Sequence, residues 1–149
     1  MSGSSTRVLL RSRLNAKQIS QLEAFVKNAS GSEEWRSFWL LGQPFTMSLE
    51  EPDEDELQFR LPDWAPVQTI LICCHCRGQL GDVLLAFAAA RLAEMFSGLI
   101  ALGYSLELFT SNPSVLSFDG RHHSEELGDA LTPECMSYWA GTPEFRMDN

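Results

Sequence analysis

The run Val67–Cys76, VQTILICCHC, constrains the fold more than any other stretch of this chain. It is almost continuously apolar and is rich in β-branched and small side chains, which suits a strand covered on both faces. Such a strand cannot stand alone. Its backbone needs hydrogen-bonded neighbours, and its apolar faces need a packed layer. Gly78 and Gly81 break the run, and a helix is expected over Asp82–Ser97. Val83, Leu84, Phe87, Ala88, Leu92, Met95 and Phe96 give that helix a broad apolar face, and only Asp82, Arg91 and Glu94 read as solvated. Its alanines permit close approach of another element, a second copy of the chain included. Gly98 is the expected C-cap.

The remaining pattern fits around this pair. Arg7–Arg11 reads as a strand. Asn15 is a helix N-cap before Ala16–Asn28, where Ile19, Leu22, Phe25 and Val26 recur at helical spacing. Strands are expected at Ser37–Leu41, Phe45–Leu49 and Leu57–Leu61, the last alternating Leu57, Phe59 and Leu61 against Gln58 and Arg60. Leu99–Phe109 returns to strand composition, with Gly103 as a bulge. Thr132 and Pro133 open a short helix ending at Ala140. The segments expected to be irregular are a loose leader at 1–5, an acidic loop at 50–56 and a long loop at 111–128. The prediction is an α+β fold in one domain, 1–149. A mixed or antiparallel sheet carries two main helices on one face and a short C-terminal helix.

Charge is distributed unevenly. The net value is −9. Residues 1–30 hold Arg7, Arg11, Arg13, Lys17 and Lys27 against Glu23 alone, so this segment can offset acids elsewhere. Glu50, Glu51, Asp53, Glu54, Asp55 and Glu56 crowd one loop, and Glu33 and Glu34 lie upstream. Such a chain repels nucleic acid and anionic lipid and favours a basic partner. The acids match no EF-hand, and no cofactor motif is present. The expected partner-binding residues are these eight acids together with Trp64, Tyr138 and Trp139. The two groups of acids form one patch if the intervening strands bring their ends together. Met1–Thr6 is polar with no apolar signal region behind it, no stretch is long enough to span a membrane, and the thiols read as reduced. A cytoplasmic location is expected.

The exception to a non-catalytic reading is Cys73-Cys74-His75-Cys76. In a strand, Cys74 and Cys76 face one way and Cys73 and His75 the other, so the four cannot close one metal tetrahedron. Packing is the expected role, and no metal is expected. The alternative is a small thiol- or metal-dependent enzyme that uses Cys76, beside Arg77 and a helix start, or His122, His123 and Cys135.

Two stretches carry a family resemblance. Leu92, Ala93, Glu94, Phe96, Gly98, Leu99, Ile100 and Gly103 fit a pattern "LA..LAE.F.GLI..GG", and Trp139, Pro143, Glu144, Phe145, Arg146 and Met147 match the residues of "W....PEFRM" with three positions in place of four between Trp139 and Pro143. In both, the chain resembles an uncharacterised family of small bacterial proteins that look like immunity proteins of polymorphic toxin systems. It departs at Ala101-Leu102-Gly103-Tyr104, where the pattern has a double-glycine turn. The resemblance implies a protein that binds a cognate toxin and blocks its active site, with no cofactor. A generic adaptor subunit is the other binding alternative.

Overall fold

The computed structural model describes residues 3–57, 64–124 and 127–147. In chain order the elements are β1 (Ser4–Leu10), α1 (Ala16–Ser30), β2 (Ser37–Leu40), β3 (Gln43–Glu50), α2 (Glu54–Leu57), β4 (Gln68–Cys74), α3 (Gln79–Phe96) and β5 (Leu99–Ala101). A 3-10 turn (Leu106–Leu108), α4 (Pro113–Leu116), β6 (Arg121–Ser124), β7 (Gly128–Leu131) and α5 (Pro133–Ala140) complete the described chain. The strands form one sheet in the order β2-β3-β4-β1-β5-β7-β6, with every neighbouring pair antiparallel. The fold is therefore α+β, with two main helices and a short C-terminal one.

Alternation along the strands divides the sheet into two faces. Val8 and Leu10, Phe45 and Met47, Ile70, Ile72 and Cys74, Ile100 and Leu131 join the helices in the main core. Leu9, Leu99 and Ala130 point the other way and are covered in part by Trp64 and Leu127. β4 behaves as its composition demands on the helix side. On the far side Thr69 is buried, while Leu71 and Cys73 are half-buried.

Local chemistry explains the helix ends. Asn15 caps α1 reciprocally: Gln18 N–H donates to Asn15 Oδ1 at 2.8 Å, and Asn15 N–H donates to Gln18 Oε1 at 3.0 Å. Gly31 closes the helix at φ 81°. α3 begins three residues earlier than its apolar pattern suggests, which places Gly81 inside the helix. A Cβ there would stand 2.9 Å from Cys74 Sγ and 3.0 Å from the Cys76 carbonyl, so glycine lets α3 lie against β4. At the other end Ser97 takes the left-handed cap, φ 56°, in place of Gly98.

Several expected segments differ. The leader is not loose as far as residue 5. Ser4 and Ser5 pair with Cys74 and Cys73, and Ser4 Oγ donates to Asp82 Oδ1 at 3.0 Å, which gives a polar strand end its partners. The strand at 99–109 stops at Ala101, because Gly103 turns at φ 83° and the Asp129 carboxylate takes the Leu106 N–H at 2.9 Å. The long loop 111–128 contains α4 and β6. Asn112 caps α4, and Arg121 on β6 reaches Asp129. The acidic loop 50–56 begins as the last residue of β3 and ends in α2. The expected strand Leu57–Leu61 lies, after its first residue, outside the described residues.

Candidate functional site

Basic residues of the first 36 positions neutralise several of the predicted partner-binding acids. Arg7 Nη1 donates to Glu50 Oε1 at 2.9 Å, and its Nε lies 3.6 Å from Glu56 Oε2. Arg13 forks onto Glu51 and holds that carboxyl below the usual carboxylate range. Lys27 Nζ is 3.0 Å from Glu33, and Arg36 Nη1 is 3.4 Å from Glu34. The pairs at Glu33, Glu34 and Glu51 are exposed, so each contributes little to folding and leaves its charge open to solvent.

Asp53 and Glu56 cap the start of α2 reciprocally. Glu56 N–H donates to Asp53 Oδ1 at 2.8 Å, and Asp53 N–H donates to Glu56 Oε1 at 3.0 Å. Burial pushes the Glu56 carboxyl up, against the opposing pull of the Asp53 amide and Arg7. Glu56 is thus a buried structural residue and offers no partner surface. Glu54 and Asp55 lie in α2 beside it. The β2–β3 hairpin pairs Ser37 with Thr46, and the Arg36 carbonyl accepts the Met47 N–H at 3.0 Å. This return brings Glu33 and Glu34 to the same end of the hairpin as Glu50.

The three predicted aromatics separate. Trp139 is fully buried, so its side chain cannot contact a partner: its Nε1 donates to Tyr104 Oη at 3.3 Å, and Phe145 meets its ring edge-on. The reason is rotational. On α5, Cys135, Met136 and Trp139 share the inward face, and Tyr138 falls on the outer one. Tyr138 is partly exposed and stacks on Phe118 at 4.6 Å. Trp64 is half-buried over the second cluster, with the Arg11 guanidinium 5.0 Å from its ring centroid.

The residues that the sequence reading passed over are Trp39 and Leu41, at the tip of the β2–β3 hairpin. Trp39 is 63% exposed and Leu41 76% exposed. Leu41 and Gly42 form the two-residue turn with φ 46° and 77°, the signature of a type I′ hairpin. That turn favours Asn-Gly. A leucine in the left-handed region costs about 1–2 kcal/mol, because its Cβ crowds the following carbonyl. The strain was not visible in the sequence. The sequence pattern runs the strand through Leu41, and Leu-Gly is not one of the residue pairs that mark a two-residue hairpin turn.

A second apolar surface lies on the helices. Leu80, Val83, Phe87 and Met95 are exposed along α3, and Phe87 and Met95 join Phe25 of α1 in a groove of about 580 Å³. The exposed side chains of this groove are contiguous across α1 and α3, and none of them sits in a left-handed backbone conformation.

The thiols and histidines divide as their spacing predicts. Cys74 belongs to the main core, and Gly81 packs on its sulfur. On the other face His75 Nε2 lies 2.8 Å from Thr46 Oγ1. Burial pushes the Cys73 and Cys74 thiols up, and Cys135 up to about 11. All three are therefore protonated and poorly nucleophilic at neutral pH. His123 Nδ1 lies 2.7 Å from Asp129 Oδ1, while Arg121 Nε and the Leu106 N–H hold Asp129 Oδ2 at 2.8 and 2.9 Å. Asp129 is fully buried. A His–Asp pair can orient a base, but here the same carboxylate ties the 3-10 turn to β6 and β7. His122 points to the opposite face, opposite Ala130. Among the described residues, no group of three or more His, Cys, Asp and Glu could hold a metal ion. Among the same residues, no helix is long and apolar enough to cross a membrane.

A search of curated proteins and a search of solved structures each returned no match. One family model does match, over residues 2–148, nearly the full length. The chain belongs to that family, DUF6368, a family of unknown function.

Proposed function

We propose that this chain is a cytoplasmic immunity protein that binds a cognate bacterial toxin one to one and blocks its active site. The observation that carries this reading is Leu41, held in a strained left-handed turn with 76% of its surface exposed, beside an exposed Trp39. A fold selected only for its own stability would place Asn or Gly there. A large apolar side chain kept in that position serves something outside the chain. Tryptophan is the residue type most enriched among residues that dominate binding energy. The net charge of −9 steers a basic toxin surface toward the chain and favours its encounter rate. Glu33, Glu34 and Glu51 keep exposed carboxylates to meet it.

Burial opposes the thiol-enzyme alternative at Cys135, which it holds as a neutral thiol, and leaves Cys76 as the residue on which that alternative is tested. The adaptor alternative shares the binding surface and differs only in a partner that is not toxic.

The test is co-expression with a toxic polypeptide encoded beside this chain. The wild-type chain restores growth, and Trp39→Ala loses roughly 30-fold or more in affinity for the toxin, as truncation of a central anchor does. Cys76→Ala protects like wild type. Full protection by Trp39→Ala would remove the hairpin from the account, and loss of protection in Cys76→Ala would favour catalysis.

A further inference from the structure

β2 is an edge strand of the sheet, and among the described residues its outer edge is only lightly protected. Ladder alternation fixes which backbone groups look outward. Leu40 and Gln43 close the two-residue turn, so Leu40 and Phe38 exchange hydrogen bonds with Gln43 and Phe45. The Arg36 carbonyl continues that alternation by accepting the Met47 N–H. The N–H and C=O groups of Ser37 and Trp39 therefore point away from β3. The Ser37 carbonyl has one long contact, 3.4 Å from Ser32 Oγ. Edge strands in soluble proteins are normally blunted by a charged side chain, a proline, a bulge or a covering loop. Ser37-Phe38-Trp39-Leu40 has neither charge nor proline, and its register with β3 is unbroken.

We propose that β2 is a template for strand addition, onto which an extended segment of a basic protein partner adds as an eighth strand. Ser37 and Trp39 supply the backbone pairing. Trp39 on the solvent face of β2 and Leu41 in the adjoining turn are both exposed and serve as apolar anchors for the incoming strand. Glu33 and Glu34 stand just ahead of β2; their pairs with Lys27 and Arg36 are exposed and weak, so basic side chains on the incoming segment compete for the two carboxylates. The net charge of −9 opposes a second copy of this chain as the occupant, since two such chains repel. The inference rests on the binder reading and adds the manner of binding and the chemistry of the partner.

The experiment uses the full isotope-labelled chain and a capped heptapeptide of alternating lysine and valine as the basic strand. Without peptide, the Phe38 and Leu40 amides exchange slowly and those of Ser37 and Trp39 exchange fast. With peptide, the Ser37 and Trp39 amides slow by about tenfold or more. The same peptide N-methylated at alternate residues, unable to pair, leaves them fast. Three results overturn the proposal. One is peptide-induced shifts confined to residues 50–56 with Ser37 and Trp39 exchange unchanged, which is charge attraction only. Another is equal protection by the N-methylated peptide. The third is protection that rises with protein concentration in the absence of peptide, which assigns the edge to a second copy. If the edge fails this test while Trp39→Ala still abolishes toxin protection, the binder reading survives and strand addition does not. If Trp39→Ala protects fully, the hairpin leaves the account and strand addition falls with it, whereas loss of protection in Cys76→Ala sinks the binder reading itself.

Discussion

The two edges of the sheet are built on opposite plans. β6, at one end, consists of Arg121, His122, His123 and Ser124. Two of these side chains run into a fully buried carboxylate, Asp129, and Arg121 also reaches the Leu116 carbonyl at 3.0 Å and Glu107 at 3.3 Å. Polar and charged groups blunt this edge, and their interactions pin the neighbouring turn. β2, at the other end, has no charge, and an exposed tryptophan and leucine at its tip. A chain that meets the edge hazard on one side has the means to meet it on the other. The difference is that β6 is tied into the fold by its own side chains, whereas the exposed side chains at the tip of β2 make no comparable contacts among the described residues, which is why the proposed partner is placed there.

Substitutions at the two edges should therefore separate stability from binding. The largest expected effect is at β6. Asp129→Ala strands Arg121, whose side chain is 9% exposed, and removes the acceptor of the Leu106 amide. It should cost about 3–5 kcal/mol in urea unfolding. A loss under 1 kcal/mol would mean that the β6 network does not hold the turn. Next is Trp39→Ala at β2, which should cost about 2 kcal/mol or more in toxin affinity and no more than about 0.5 kcal/mol in stability. A large stability loss with unchanged affinity would invert the comparison.

The smallest effect lies away from both edges. The Glu56 carboxyl is raised by burial, so the folded chain holds that proton more tightly than the unfolded chain does. Its contribution to stability is fully present below the ordinary value of 4.5 and is lost as pH rises through the folded value. Glu56→Gln should flatten unfolding free energy against pH across that window. An unchanged slope would assign the dependence to other carboxylates.

What could be read from the sequence was whatever rests on local pattern. The β4 run, the α3 periodicity, the Asn15 and Thr132 caps and the opposed faces of Cys73 and Cys74 all follow from spacing and side-chain chemistry. What escaped rests on contacts between distant residues. Ser4 and Ser5 look too polar for a strand until Asp82 and the β4 backbone are beside them. Leu99–Phe109 looks continuous until Asp129, far along the chain, captures the Leu106 amide. Glu56 reads as one acid among six in its loop until Arg7 and the capping amide bury it. Trp139 and Tyr138 are adjacent in sequence, and only the rotation of α5 sends one inward and the other out. Trp39 was legible as an aromatic in a strand, but its place on an outer edge depends on the strand order.

The central claim is that the β2 hairpin tip is kept against the interest of the fold, and Leu41→Asn tests it most directly by equilibrium unfolding. Asparagine tolerates the left-handed turn, so the account predicts a gain of about 1 kcal/mol in stability. A loss of stability would show that Leu41 serves the fold and would contradict the account.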